Sequence, residues 1–172
     1  AATAAANPFA SVVSAMTALK IATAVTGGWT TGCVLRIVGT VAFDAANFAA
    51  YAYQNGGELV IEGEPGSTPV LTFGASNRNS YQSYLRIRNL AFNRTGGAQG
   101  FGNGTTRLVL ENIAMDGNSA ATALAGTGVH TWLMGVALTN PGTNLNFGTN
   151  QQLRLARGIA CSSNFQIENW LT

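Results

Sequence analysis

The sequence predicts an all-β solenoid of about six coils, in which short strands stack from coil to coil. Four segments recur at a spacing of about 23 residues: Tyr84–Phe92, Arg107–Met115, His130–Leu138 and Gln152–Cys161. Each ends in a small apolar block, and the central alanines of these blocks lie 23 residues apart: Ala91, Ala114, Ala137 and Ala160. A period in the twenties with short alternating strands is typical of stacked coils. We therefore expect these alanines to be nearest neighbours in adjoining coils, within vertical files of like side chains in the interior.

Composition favours a single domain with a surface poor in charge. The chain has 172 residues and a hydrophobic content of 47%, but only 9% charged residues, against roughly 25% in an average soluble domain. Its net charge of +2 comes from dispersed basic residues, so no nucleic-acid-binding face is predicted. No apolar run of about 18 residues predicts a membrane span. Such a surface is typical of a protein that packs against neighbours or lies outside the cell.

The chain is expected to begin with an arm and a capping helix. We assign residues 1–6 to a flexible arm and residues 7–172 to a single β-helix domain. Within that domain, residues 7–24 form the capping helix and residues 33–172 form the coils. Asn7 and Pro8 are typical of a helix start, and this helix can cover the first end of the strand stack. At the other end no clear capping helix follows. There we expect either that Phe165–Trp170 folds across the opening or that another subunit covers it.

The coils are predicted from inward apolar pairs and from a shared corner. The pairs are Leu35/Ile37, Leu59/Ile61, Leu85/Ile87 and Leu108/Leu110, followed by the less regular Thr131/Leu133 and Leu153/Leu155. A bulge is expected in the last repeat, before Ile159. Five residues tolerant of left-handed backbone fall at one corner position: Gly63, Asn89, Asn112, Gly135 and Gly158. The two asparagines are expected to form a side-chain amide ladder.

One outward column was considered as a catalytic site. Glu62, Arg88 and Glu111 share it, and the two carboxylates would lie two coils, or about 10 Å, apart. Two carboxylates near this distance can support glycoside hydrolysis. However, a guanidinium between them would lower both pKa values and remove the proton that a general acid must carry. The favoured interpretation is a structural ladder of alternating charge.

The remaining polar and aromatic candidates also favour structural roles. Asp116 aligns with polar residues of other coils and belongs to a turn motif, Asp116–Asn118; the turn is favoured over a weak contact with a cation or a sugar. His130 is the only histidine and has no predicted catalytic partner. No clustered ligands for a metal are predicted, so we assign no catalytic, cofactor-binding or metal residue. Trp132 is predicted to point outward, where packing or a subunit contact is favoured over a carbohydrate platform.

The strands Leu85–Leu90 and Leu108–Ile113 resemble those of the right-handed parallel β-helix proteins. That superfamily includes pectate lyases, polygalacturonases and phage tailspike-like virion proteins. The resemblance implies a single-stranded right-handed parallel β-helix. Pectate lyases use an acidic cluster for calcium and an arginine base, and polygalacturonases use several aspartates. Because this chain has only Asp44 and Asp116, no catalytic residue is carried over.

The sequence thus predicts a non-enzymatic structural subunit of a virion or extracellular assembly. A phage capsid decoration or tail-associated protein is the most specific version, located on the virion surface or outside the cell. Its expected partners are other copies of itself or other structural subunits of an assembly, with carbohydrate as a further candidate. The alternatives are a pectate-lyase-like enzyme that acts on polysaccharides and a carbohydrate-binding adhesin.

Overall fold

The described part of the chain is almost entirely β-strand. The structure, a computed structural model, describes Ala15 and these ranges: 33–43, 58–73, 84–95, 107–118, 130–139, 144–146, 152–162 and 166–168. The strands are β1 (Cys33–Ile37), β2 (Thr40–Phe43), β3 (Glu58–Gly63), β4 (Val70–Phe73), β5 (Tyr84–Arg94), β6 (Arg107–Asp116), β7 (His130–Thr139), β8 (Asn144–Asn146), β9 (Gln152–Arg157), β10 (Ala160–Cys161) and β11 (Gln166–Glu168). Among the described residues, no helix is long and apolar enough to cross a membrane.

Nine of these strands form one sheet, and all the pairings between its described strands are parallel. The long strands β5, β6 and β7 each bend at one residue, which divides them into a first and a second segment. The first segments pair with one another and with β3 and β9, and β3 pairs in turn with β1. The second segments pair with one another and with β4 and β10, and β4 pairs in turn with β2. We call each level a rung: β1 with β2, β3 with β4, β5, β6, β7, and β9 with β10. This stacking is consistent with the predicted β-helix.

The register confirms the predicted repeat, but it places the alanines on the outside. Ala91 pairs with Ala114, Ala114 with Ala137, and Ala137 with Ala160. They are therefore nearest neighbours in adjoining rungs. Yet the last three are exposed and Ala91 is half-buried, so the expectation of an interior file was wrong. Side chains alternate between the two faces of a strand; the apolar residues on either side of each alanine point inward, and the alanine between them points outward.

The interior is one apolar cluster to which both segments contribute. The first segments supply the predicted Leu/Ile pairs, and the second segments supply residues such as Phe92 and Leu138. Leu155 departs from the prediction, because it is 41% exposed. A bulge shifts the register so that Leu153 pairs with Thr131, but Leu155 pairs with the outward Trp132. The bulge before Ile159 is thus confirmed, and Arg154 is the extra residue.

A residue with a left-handed backbone forms the predicted corner in four rungs, whereas a longer loop forms the corner after β3. Left-handed φ angles occur at Asn89 (56°), Asn112 (51°), Gly135 (62°) and Gly158 (63°). Gly63 has no such φ, because the longer loop 64–69 forms the corner of its rung. It must be glycine for another reason: an added Cβ would overlap the carbonyl oxygen of Asn89 and the ring of a neighbouring proline.

The ends of the predicted domain are only partly described. The arm 1–6 lies outside the described residues, as does the helix 7–24 except for Ala15, which is helical and buried. Within Phe165–Trp170, β11 pairs in parallel with β8, and Gln166 stands opposite Asn144. These partners are 22 residues apart (166 minus 144). The last strand thus follows nearly the same repeat, in a second, two-stranded sheet that the sequence did not predict.

Candidate functional site

The outward residues next to the corner form the predicted charged column. From rung to rung the outer column consists of Arg36, Glu62, Arg88, Glu111, Met134 and Arg157, each paired in register with the next. Parallel strands lie about 4.8 Å apart, so opposite charges in adjoining rungs are within reach of one another. The order of Glu62, Arg88 and Glu111 is the one expected from the repeat.

Glu62 lies at the centre of this column and is held by two arginines. Arg88 donates to its Oε2 from both Nη2 (2.7 Å) and Nε (2.9 Å), and Arg36 Nε donates to Oε1 (3.0 Å). The Arg88 hydrogen bonds hold the pKa of Glu62 below its ordinary value; burial opposes this shift, and Arg36 adds to it. Only 12% of the Glu62 side chain is exposed. This carboxylate is therefore ionised and engaged near neutral pH.

Glu111 has a different partner from the one expected. Arg86 Nη1 lies 3.2 Å from Glu111 Oε2, and its Nε lies 3.3 Å from Glu58 Oε1. Arg86 therefore bridges carboxylates of the rungs on either side. Arg88 lies between Glu62 and Glu111 in register, as predicted, and its Nε and Nη2 both donate to Glu62. Each of the two carboxylates therefore has an arginine partner, Arg88 for Glu62 and Arg86 for Glu111.

An arginine occupies the aromatic part of the same outer face. The Arg107 guanidinium carbon lies 5.7 Å from the centroid of Tyr84 and 5.5 Å from that of Trp132, distances typical of cation–π contacts. Its Nη2 lies 3.6 Å from Glu58 Oε1. Val109 pairs in register with Arg86 and Trp132 on this face, and it is only 3% exposed although it points outward. Trp132 thus points outward as predicted, and one of its contacts is a cation of the same chain.

His130 lies beside this aromatic group. Its Nδ1 accepts a hydrogen bond from Arg154 Nε (3.0 Å), and its ring is 6.4 Å from that of Trp132, edge to face. The prediction of a surface histidine is consistent with this position. The roles of Arg107 and Arg154 were missed. The bulge that brings Arg154 towards His130 breaks the repeat, and diagonal neighbours such as Arg107 and Trp132 share no column.

The outer face of the second segments carries small residues. The alanine file, which consists of Ala91, Ala114, Ala137 and Ala160, runs across it. Beside it lies a polar column, Thr72, Asn93, Asp116 and Thr139. Asp116 Oδ1 accepts a hydrogen bond from the backbone N–H of Asn118 (2.9 Å), which confirms the predicted turn. The file itself contains no charged side chain.

The described residues contain no group of three or more histidine, cysteine or acidic side chains placed to hold a metal ion. Comparisons of the chain with protein-family models, curated proteins and solved structures find no match. Two surfaces of the described residues remain as candidates for a functional role. They are the ion-paired face of the first segments and the alanine file of the second segments.

Proposed function

We propose that the chain is a single-stranded right-handed parallel β-helix that serves as a non-enzymatic structural subunit of a virion or extracellular assembly. A phage capsid decoration or tail-associated protein is its most specific version. The fold part of the proposal is supported by six rungs in parallel register (β1 with β2, β3 with β4, β5, β6, β7, β9 with β10). It is also supported by residues of one kind at successive corners, such as Asn89 and Asn112.

The observation that carries the structural role is the alanine file. Its members are exposed or half-buried, uncharged and small, and they lie side by side on parallel strands. A face with such short side chains lets a second backbone approach closely and loses little side-chain entropy when it is covered. We therefore propose that this file packs against another copy of the chain. The low charge content of 9% supports burial of part of the surface.

The ion-paired face supports this role over polysaccharide cleavage. A general acid must hold a proton near the working pH, whereas Glu62 has a lowered pKa and accepts hydrogen bonds from two arginines. Glu111 is paired with Arg86. A carbohydrate-binding adhesin would need exposed ring faces, but the rings of Tyr84 and Trp132 both contact a guanidinium. The contacts of these residues are those of a stabilising network.

The state of association of the purified protein tests the proposal. We expect native mass measurement or electron microscopy to show a discrete oligomer or an ordered assembly. Ala137→Glu should weaken this association at least about tenfold, because burial of an unpaired carboxylate costs several kcal/mol. Val38→Glu is the matched control, since Val38 is 62% exposed and lies outside the file. A monomer in dilute solution, or equal effects of the two variants, would contradict the proposal.

A second measurement addresses the enzyme alternative. Acidic and neutral polysaccharides are incubated with the protein and with a variant in which Glu62, Glu111 and Asp116 are all replaced by their amides. We expect no cleavage by either protein. Cleavage by the wild type that the triple variant has lost would favour the enzyme and would count against the structural role.

A further inference from the structure

We propose that the outer edge of β9 binds an extended acidic segment of a partner protein, which adds to the sheet as a further parallel strand. In this arrangement a carboxylate of the partner lies beside Arg157. The inference does not depend on self-association through the alanine file, because it concerns a different strand and a different face.

The first argument is the state of the β9 edge. Among the described residues β9 pairs with β7 alone, so its other edge has no strand partner there. Ala156 pairs with the inward Leu133, which is 2% exposed, yet Ala156 itself is exposed. An edge with free backbone groups above an uncovered apolar position is a template for an added strand.

The second argument is the charge order of the outer column. Arg36 contacts Glu62, and Glu62 contacts Arg88, so adjoining rungs carry opposite signs. The column ends at Arg157, which is exposed and makes no ion pair within the described part of the chain. Opposite charges directly across neighbouring strands are stabilising and like charges are destabilising. A strand added beyond β9 is therefore favoured if it carries a carboxylate at this position.

The third argument is the uneven distribution of charge along the face. The described glutamates on this face all form ion pairs with arginines of the same face. The glutamates are Glu58, Glu62, Glu64 and Glu111, and the arginines are Arg36, Arg86, Arg88 and Arg107. At β9, Arg154 and Arg157 have no carboxylate among the described residues, and Arg154 contacts His130 instead. This end of the face is therefore positive. An acidic partner is favoured by charge complementarity, which raises the rate of encounter and selects the partner.

The same column argues against two other occupants. A second copy stacked end to end would bring its Arg36, in β1, beside Arg157, and two like charges would face each other. A sugar or a nucleobase would need a free aromatic face for stacking. Within the described part of the chain, Trp132 pairs in register with Leu155 of β9, and the Arg107 guanidinium already lies 5.5 Å from its ring centroid. An acidic peptide strand satisfies both the edge and the charge.

The test uses two labelled peptides copied from this chain. The acidic peptide reproduces residues 58–64, and in the parallel register its Glu62 would stand opposite Arg157. The control peptide reproduces residues 33–39 with Cys33→Ser, and it presents Arg36 at the same place. Fluorescence anisotropy of each peptide with the full-length protein should show saturable binding of the acidic peptide. The control should bind about threefold or more weakly, a ratio typical of exposed charge pairs.

Protein variants assign the effect to the edge. Arg157→Glu should reverse the order of the two peptides, and Arg157→Gln should make them nearly equal. Arg36→Gln removes the same charge from β1 and should leave the order unchanged. Hydrogen exchange should show protection of the backbone amides of β9 when the acidic peptide is bound.

Three outcomes of the peptide experiments and one outcome of a competition experiment would overturn the inference. The three peptide outcomes are the absence of saturable binding, equal binding of both peptides to the wild type, and binding without protection of β9. Displacement of the peptide by a sulfated polysaccharide or single-stranded DNA that itself binds more tightly would also overturn it, since the site would then favour another class of polymer. A monomeric protein that binds the acidic peptide would disprove self-association while leaving this inference intact.

Discussion

Asn112 holds the corner of β6, and its replacement by alanine should destabilise the fold by about 2 kcal/mol. Two contributions add. Asn112 has a φ of 51°, and a left-handed conformation costs an ordinary residue about 1–2 kcal/mol, a cost that asparagine reduces. Its Nδ2 also donates a 3.1 Å hydrogen bond to Asn89 Oδ1, worth a net 0.5–1.5 kcal/mol or about 1 here. For a chain of 172 residues, the sum lowers Tm by about 4–8 °C.

A pair of variants separates the two contributions. Asn112→Gly keeps the left-handed corner but removes the amide, so it should lose only the hydrogen bond, about 1 kcal/mol. Asn112→Ala should lose both contributions. Urea denaturation followed by circular dichroism gives the midpoints, and thermal denaturation gives Tm. If alanine were as stable as the wild type, or glycine as destabilising as alanine, the corner would not be held in the way described.

Two further predictions concern the face and the corner of β3. Stability should fall as the pH drops below 4.5, the ordinary pKa of Glu62. The folded-state pKa of this group is depressed, so its contribution is present above the unfolded value and is lost as pH falls through the folded value; Glu62→Gln should show a smaller difference between urea midpoints at pH 7 and pH 3. Gly63→Ala should cost about 3 kcal/mol, the upper end of the usual range for an added methyl group, because the new Cβ overlaps the backbone carbonyl of Asn89. Gly158→Ala meets only ordinary contacts and should cost less, about 1–2 kcal/mol from its left-handed φ. Equal Tm losses for the two glycine variants would contradict the overlap.

The repeat predicted the register well, since parallel strands with a constant spacing pair residue by residue. The pairing of Ala91 with Ala114, and the contact of Asn89 with Asn112, followed directly from a spacing of 23 residues in the sequence. The face of each alanine also follows from local alternation, once Phe92 is counted as inward. The error there came from treating similar residues as interior because they were apolar and small.

The bulge in β9 shows where a count from the start of a strand fails. From its first residue to the corner, β6 has five steps (107 to 112) and β9 has six (152 to 158). A count from Gln152 therefore places Leu155 inward, whereas a count back from the corner places it outward. The extra step was visible in the sequence. The contacts of Arg107 with Tyr84 and Trp132 were not, because diagonal contacts between rungs depend on side-chain conformations that a period does not specify.

The charges of the outer column also distinguish correct from incorrect folding. The inward Leu/Ile pairs of β1, β3 and β5 are nearly identical, so apolar burial alone would let β1 pair with β5 and omit a rung. That error would bring Arg36 beside Arg88, where the native chain has a glutamate between them. Alternating sign thus encodes the order of the layers during folding. A chain with all three positions neutral would retain its core and lose this protection against skipped layers.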